Sequence, residues 1–170
     1  MGSSVETLAD LMPIDPRMLC VGINPAPISV AAGHYYQGQL GQRFYARLRK
    51  AGILPDDMLG YEDDIAYEMG IGFTDVVKRP TGSATEVSAE ELRYGATILT
   101  KKLEVAGAPL VVFAFKGAAV QLLGPVARNG FLPDTQLGPS QVFVMPGPFE
   151  RRDTVDQALA SLAHWWRTHG

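Results

Sequence analysis

The sequence predicts an α/β fold, a three-layer αβα sandwich with a parallel β-sheet between two layers of helices. Four short apolar runs, 18–21 (MLCV), 72–76 (GFTDV), 110–115 (LVVFAF) and 142–145 (VFVM), show little alternation with polar residues. Such runs mark strands buried on both faces, and therefore a parallel sheet. Segments with helical periodicity fill the intervals, and alternating strands and helices build a layered α/β domain. Three of the four strand ends enter unusual loops, 24–36, 75–85 and 146–153. The carboxyl edge of an open parallel sheet is where ligands meet the protein.

The first run ends in Gly22-Ile23-Asn24-Pro25, a tight, proline-stiffened loop holding an amide, and Gly33-His34-Tyr35-Tyr36 follows as a cluster of flat side chains beside a hinge. An amide next to an aromatic shelf suits a planar heterocycle and one ordered water. Over 42–51, Phe44, Leu48 and Ala51 share one helical face. The clearest helix starts at Ser88, with Glu91 three residues on as a capping box. It directs Leu92, Ala96, Leu99 and Leu103 toward a core and stops before Gly107 and Pro109. A short helix is expected over 117–123, ended by Gly124-Pro125. The last helix is expected to begin near Thr154, with Gln157 in the capping position, and to face Val155, Ala158, Leu159, Leu162 and Trp166 inward.

No repeat, low-complexity segment or composition break divides the 170 residues, so one domain, 1–170, is expected, with an ample core. Charged residues make up 19% of the chain, which suits a soluble globular protein rather than a disordered one. No apolar run nears the roughly 20 residues that span a bilayer. The first ten residues include acidic side chains and no basic cluster, so neither a signal peptide nor a membrane partner is expected, and the location is expected to be cytoplasmic. The single cysteine, Cys20, lies in an apolar run and excludes an internal disulfide or a multi-thiolate cluster. His34, His164 and His169 lack metal-ligand spacing, so no metal is expected. A net charge of −3 argues against nucleic acid, yet Arg43, Arg47, Arg49 and Lys50 crowd together, as do Lys78 with Arg79 and Arg151 with Arg152. From charge alone, a local basic face and ordinary solvated charge stand equal. No glycine-rich phosphate loop follows any strand, which disfavours a nucleotide-binding module.

Several segments then combine: Gly22-Ile23-Asn24-Pro25, Gly33-His34-Tyr35-Tyr36, Arg43-Phe44-Tyr45, the run 70–81 (GIGFTDVVKRPT), Glu86-Val87-Ser88 and Met145-Pro146. In this order, from about residue 18 to 166, they closely resemble the mismatch-specific uracil and thymine DNA glycosylases of the uracil-DNA glycosylase superfamily. The resemblance implies an αβα sandwich around a four-stranded parallel sheet. It also implies excision of a damaged or mispaired base from DNA, which must first leave the stack because its reacting atoms are hidden in the duplex. The implied enzyme is a monomer without a cofactor, and no lysine nucleophile for a lyase step is identifiable.

By the same resemblance, Asn24 positions the attacking water. A neutral amide cannot take its proton and can only hold it near the sugar carbon, a proximity effect. Tyr36 is placed as the aromatic that stacks on the flipped base. Ile23, Ser29 and Tyr35 are placed in the base pocket, and His34 near phosphate. Asp75 stands where the thymine-removing branch has an Asn that reads the base edge. An ionised carboxylate there only accepts hydrogen bonds, whereas an amide both donates and accepts. The loop 146–152 corresponds to the one that enters DNA; Arg151 lies on the wedge position, Phe149 is a second candidate and Arg152 accompanies them. Gly147 replaces the His or Asn with which other branches polarise the base. The expected activity is excision of uracil, including from G·U mispairs. A different base scope (hypoxanthine, thymine or single-stranded uracil) and a damage-binding module that does not cut are the alternatives.

Overall fold

The computed structural model describes residues 4–170. In chain order its main elements are β1 (Met18–Gly22), α1 (Pro27–Ala32), α2 (Gln39–Lys50), α3 (Glu62–Glu68), β2 (Ile71–Asp75), α4 (Ala89–Ala106), β3 (Leu110–Phe113), α5 (Lys116–Leu123), β4 (Gly130–Leu137), β5 (Ser140–Val144) and α6 (Arg152–Thr168). The strands form one sheet in the order β2-β1-β3-β5-β4. Its first four members are parallel, with Gly22 opposite Asp75 and Val21 opposite Phe113.

The helices form a layer on each face because successive strand side chains point to opposite faces. Met18, Cys20, Leu110, Val112 and Phe143 pack with Phe44, Tyr45 and Leu48 of α2 and with Leu159 and Leu162 of α6. Their neighbours Leu19, Val21, Val111, Phe113 and Val144 pack with Leu99 and Leu103 of α4 and Ala119 of α5. The chain leaves β1 toward β2 on one side, and β3 lies on the other. The crevice between the carboxyl ends of β1 and β3 is therefore the topological switch point, where a ligand site belongs in such a sheet.

The sheet has five strands, not four. The added β4 runs antiparallel to β5 at one edge, and its pairing shifts register between Phe131 and Gln136. Pro133, which cannot donate to a ladder, sits in that interruption, and the strand's last five residues are exposed or half-buried. Both features hide a strand from an apolar-run reading. The last helix also starts earlier than expected, at Arg152; Arg151 is its N-cap residue without a side-chain cap, so Thr154 and Gln157 lie inside it. Ser88 and Glu91, by contrast, form the expected capping box of α4. No helix among the described residues is long and apolar enough to cross a membrane.

Candidate functional site

A cavity of about 480 Å³ opens at the carboxyl edge of the sheet, lined by segments that follow β1, β2, β3 and β5. Asn24 borders it from the loop after β1. Its Nδ2 donates to the Arg79 carbonyl at 2.9 Å and to Thr81 Oγ1 at 2.7 Å. The Thr81 hydroxyl donates its own proton to the Ser83 carbonyl at 2.6 Å, so it must accept from Asn24. A carbonyl can only accept as well, so both partners fix which end of the amide carries nitrogen. The Asn24 Oδ1 makes no hydrogen bond among the described residues and is the free acceptor of the pair.

The loop that presents the acceptors to Asn24 is itself tied down. Lys78 pairs with Asp10 and donates to the Leu8 carbonyl at 3.2 Å and to Tyr35 Oη at 3.1 Å. Arg79 binds both carboxylate oxygens of Glu91, at 2.6 and 3.0 Å, and the Glu86 carbonyl at 3.0 Å. The Lys-Arg-Pro-Thr run is thus a scaffold: its two cations are occupied with protein partners.

Asp75 closes the floor of the cavity at the end of β2 and is 3% exposed. Its Oδ2 is buried without a hydrogen-bond partner among the described residues. Burial pushes the carboxyl up to about 7; Asp10 adds to the rise, and Lys78 and Lys102 oppose it. The Tyr36 hydroxyl is likewise buried and unpartnered, and burial together with Asp75 raises its pKa. Both groups crowd Gly22: a Cβ there would lie 2.5 Å from Asp75 Oδ1 and 3.4 Å from Tyr36 Oη. Glycine is what lets the two polar side chains approach the end of β1.

Tyr36 is the one non-glycine residue with positive φ, +58°, among the described residues, a conformation held only where its surroundings demand it. Here the demand comes from α2, whose Gly41 packs so closely that a Cβ would meet the Tyr36 carbonyl oxygen at 2.3 Å. The Tyr36 ring stands edge-on to Tyr35, Phe44 and Phe73. Tyr35 lines the cavity too, but its polar groups face the protein: its hydroxyl donates to the Ala9 carbonyl at 3.1 Å and its N–H to Asp63 Oδ2 at 2.8 Å. Ser29, also lining, accepts the Gln37 N–H at 3.0 Å, and Ile23 completes the wall beside Asn24.

A match to the family model of the uracil DNA glycosylase superfamily spans residues 9–166. The chain belongs to this superfamily. Among solved structures it is similar to the solution NMR structure of a "putative Uracil DNA glycosylase" from Methanosarcina acetivorans, at 19% identity and a TM-score of 0.57. That match covers 94% of this chain and 96% of that chain, and at such identity it is a likeness of fold.

The remaining residues singled out in this superfamily member separate into two places. Phe149 is 79% exposed on the loop after β5, next to Pro148 of the cavity rim. Arg151 and Arg152 stand at the start of α6, facing solvent, with Arg151 paired to Asp153 at 3.0 Å. His34 lies elsewhere: its ring stacks on Tyr61 with centroids 3.5 Å apart, and its Nδ1 meets Asp63 Oδ1 at 2.8 Å. His34, Asp63 and Asp64 bring three ligand atoms within 4.8 Å, the grouping among the described residues that could hold a metal ion. Asp63 uses both oxygens on His34 and Tyr35, so the group serves as an anchor for the 33–36 loop.

Sequence reasoning took Thr81 only as part of a signature run and missed that it orients Asn24, and it missed Phe115, which brings a fourth strand end into the cavity wall. It also missed Asp63, only 1% exposed, within the acid-rich stretch 56–68. The crowd of cations on α2 is not free charge either. Arg49 pairs with Glu62 at 3.1 Å, Lys50 with Asp156, and Arg43 and Arg47 bind the loop after β5.

Proposed function

We propose that the chain is a monofunctional DNA glycosylase of the mismatch-specific kind, acting as a monomer in the cytoplasm. It flips a uracil out of DNA, including uracil paired with guanine, and hydrolyses its N-glycosidic bond without a metal or cofactor. The observation that carries this reading is the locked amide of Asn24. With Nδ2 committed to Arg79 and Thr81, Oδ1 accepts a proton of one water and holds it at the sugar. The C1′–N bond breaks with its electron pair going to the base, the water oxygen bonds C1′, and the surplus proton passes to solvent. Proximity rather than proton abstraction lowers the barrier, so the rate depends on how good a leaving group the base is.

Asp75 faces the edge of the flipped base. Ionised, it accepts from the uracil N3–H; protonated, it donates to a carbonyl oxygen. The buried, unpartnered Oδ2 among the described residues, on a carboxyl that burial pushes up to about 7, leaves both roles open at the base edge and favours a second reading, a base scope wider than uracil. Oligonucleotides bearing uracil, thymine or hypoxanthine, single-stranded and paired with guanine, treated with protein and then with alkali, test both. Breaks at uracil are expected. Retained binding with no break at any base would leave a damage-binding module instead.

A further inference from the structure

The loop after β5 is fastened in an unusual way. Its backbone is held while the Phe149 side chain stays exposed. Arg47 of α2 donates through Nη1 to the Pro146 carbonyl and through Nη2 to the Gly147 carbonyl at 2.9 Å. One helical turn earlier, Arg43 donates to the Pro148 carbonyl at 2.9 Å, and its guanidinium lies 4.9 Å from the centroid of the Phe149 ring. From the opposite side Asn129 Nδ2 donates to Glu150 Oε2 at 3.1 Å, and the Glu150 N–H closes a turn onto the Gly147 carbonyl at 3.1 Å. Three successive carbonyls are therefore capped by two arginines about a hundred residues away in sequence, while Phe149 stays 79% exposed. A guanidinium offers several donors in a rigid plane, so it bridges adjacent carbonyls in a fixed geometry that a lysine's compact ammonium does not reproduce.

We propose that Arg43 and Arg47 are positioning residues for insertion into DNA, and that the side chain they position is Phe149. The inference rests on the glycosylase reading. A duplex that loses a base to the pocket leaves a gap in its stack, and apolar wedges commonly fill such gaps. A wedge on a floppy loop must be ordered at the moment of binding, which costs affinity; a loop fastened beforehand avoids that loss. Phe149 suits the role better than Arg151. It follows the rim residue Pro148 directly, whereas Arg151 is paired with Asp153 at the start of a helix.

The test compares wild type with Arg43→Ala, Arg47→Ala, Arg47→Lys and Phe149→Ala, on uracil in single-stranded DNA and in a G·U duplex. Only the duplex has a stack to fill. Arg47→Ala and Phe149→Ala are expected to lower the duplex-to-single-strand ratio of kcat/KM by about tenfold, mostly through KM, with Arg47→Lys in between. Equal losses on both substrates would show a merely structural role and overturn the proposal. Chymotryptic cleavage after Phe149, referred to cleavage after Tyr61, reads the clamp without any DNA. It should quicken about tenfold in Arg43→Ala and Arg47→Ala as the loop opens, and an unchanged rate overturns the clamp. If wild type cuts neither substrate, the glycosylase reading falls, and the proteolysis still decides whether the arginines hold the loop. Should Arg47→Ala not fold, the exposed Arg43 and the lysine variant carry the same comparison.

Discussion

Asn24 lines the cavity and Phe149 stands just beyond its rim, and the protein places its hydrogen bonds around them in opposite ways. At the cavity wall the bonds go to the side chain: both donors of Asn24 are taken, and its free oxygen is left in one orientation. At the rim they go to the backbone, with Pro146, Gly147 and Pro148 each held by an arginine while the phenyl ring stays in solvent. A group that must direct one water needs a fixed atom. A group that must fit between bases needs a fixed path of chain and an exposed side chain. Asp75 belongs to neither pattern, since one carboxylate oxygen is buried with no partner at all. An unpartnered buried oxygen is costly, and in the proposed reading it is where the flipped base would supply the missing partner.

The comparison breaks most sharply at Asn24. Asn24→Ala is expected to lower kcat by about 10³-fold while leaving duplex affinity within about threefold, since the amide orients water and contributes little to holding DNA. Single-turnover rates and a binding isotherm check this. Thr81→Val, which removes the acceptor that helps lock the amide, should fall between, at about tenfold. If Thr81→Val costs nothing, the backbone carbonyl of Arg79 suffices to hold the amide.

Asp75 gives the next largest effect, and its sign is opposite to that of a paired carboxylate. Burial raises its pKa from 3.8 to about 7, so between those values the folded chain keeps a proton that the unfolded chain has lost. Stability linked to this group is full below about pH 4, declines as pH rises toward 7 and is absent above it. The amount lost by pH 8 is on the order of 4 kcal/mol. Asp75→Asn should flatten this slope and leave the variant more stable than wild type at pH 8, as read by urea unfolding at pH 5 and pH 8. A parallel slope in both proteins would mean that Asp75 is ionised and solvated in the fold. The same substitution supplies a donor at the base edge at all pH values, so it should also remove any step near pH 7 in the preference among bases.

What was legible in the sequence follows the range of the interactions. The four parallel strands announce themselves because burial on both faces demands uninterrupted apolar runs, and the capping box at Ser88 and Glu91 is a local pattern with a local cause. The motif loops place Asn24, Tyr36 and Asp75 at the edge of one sheet, where the structure brings them around one cavity. The antiparallel β4 is hidden by Pro133 and by a half-exposed face. Arg43 and Arg47 look like surface charge because their partners, the carbonyls of 146–148, leave no mark in composition. Asp63 is hidden for the same reason: what makes it a buried anchor is the Tyr35 N–H and the His34 ring, brought to it by the turn of the 33–36 loop.

Gly22 joins the floor to its neighbours, and its substitution sharpens the comparison from the backbone side. Gly22→Ala would put a methyl group 2.5 Å from Asp75 Oδ1, so the carboxyl must rotate away, while Asn24, bonded two residues on, is held by Arg79 and Thr81. The expected loss in kcat/KM is about tenfold, expressed in base selectivity more than in the rate with the best substrate. A loss as large as that of Asn24→Ala would show that the two loops move as one unit.

The smallest effect is expected at Arg151, and it separates the two exposed candidates at the rim. Its side chain is 80% exposed and its partner, Asp153, lies two residues away, an arrangement whose energy is small and screened by salt. Arg151→Ala should therefore change duplex kcat/KM by no more than about twofold to threefold, the contribution of one phosphate contact, and reduce the salt slope of binding by about one. Phe149→Ala should leave the salt slope unchanged and weaken duplex binding at every salt concentration, because a ring in the stack releases no counterions. Measuring both slopes from 50 to 200 mM salt distinguishes a residue that follows the backbone from one that enters the helix. If the salt slope instead drops in Phe149→Ala and holds in Arg151→Ala, the clamp is presenting Arg43 to phosphate, and the ring serves only to carry it.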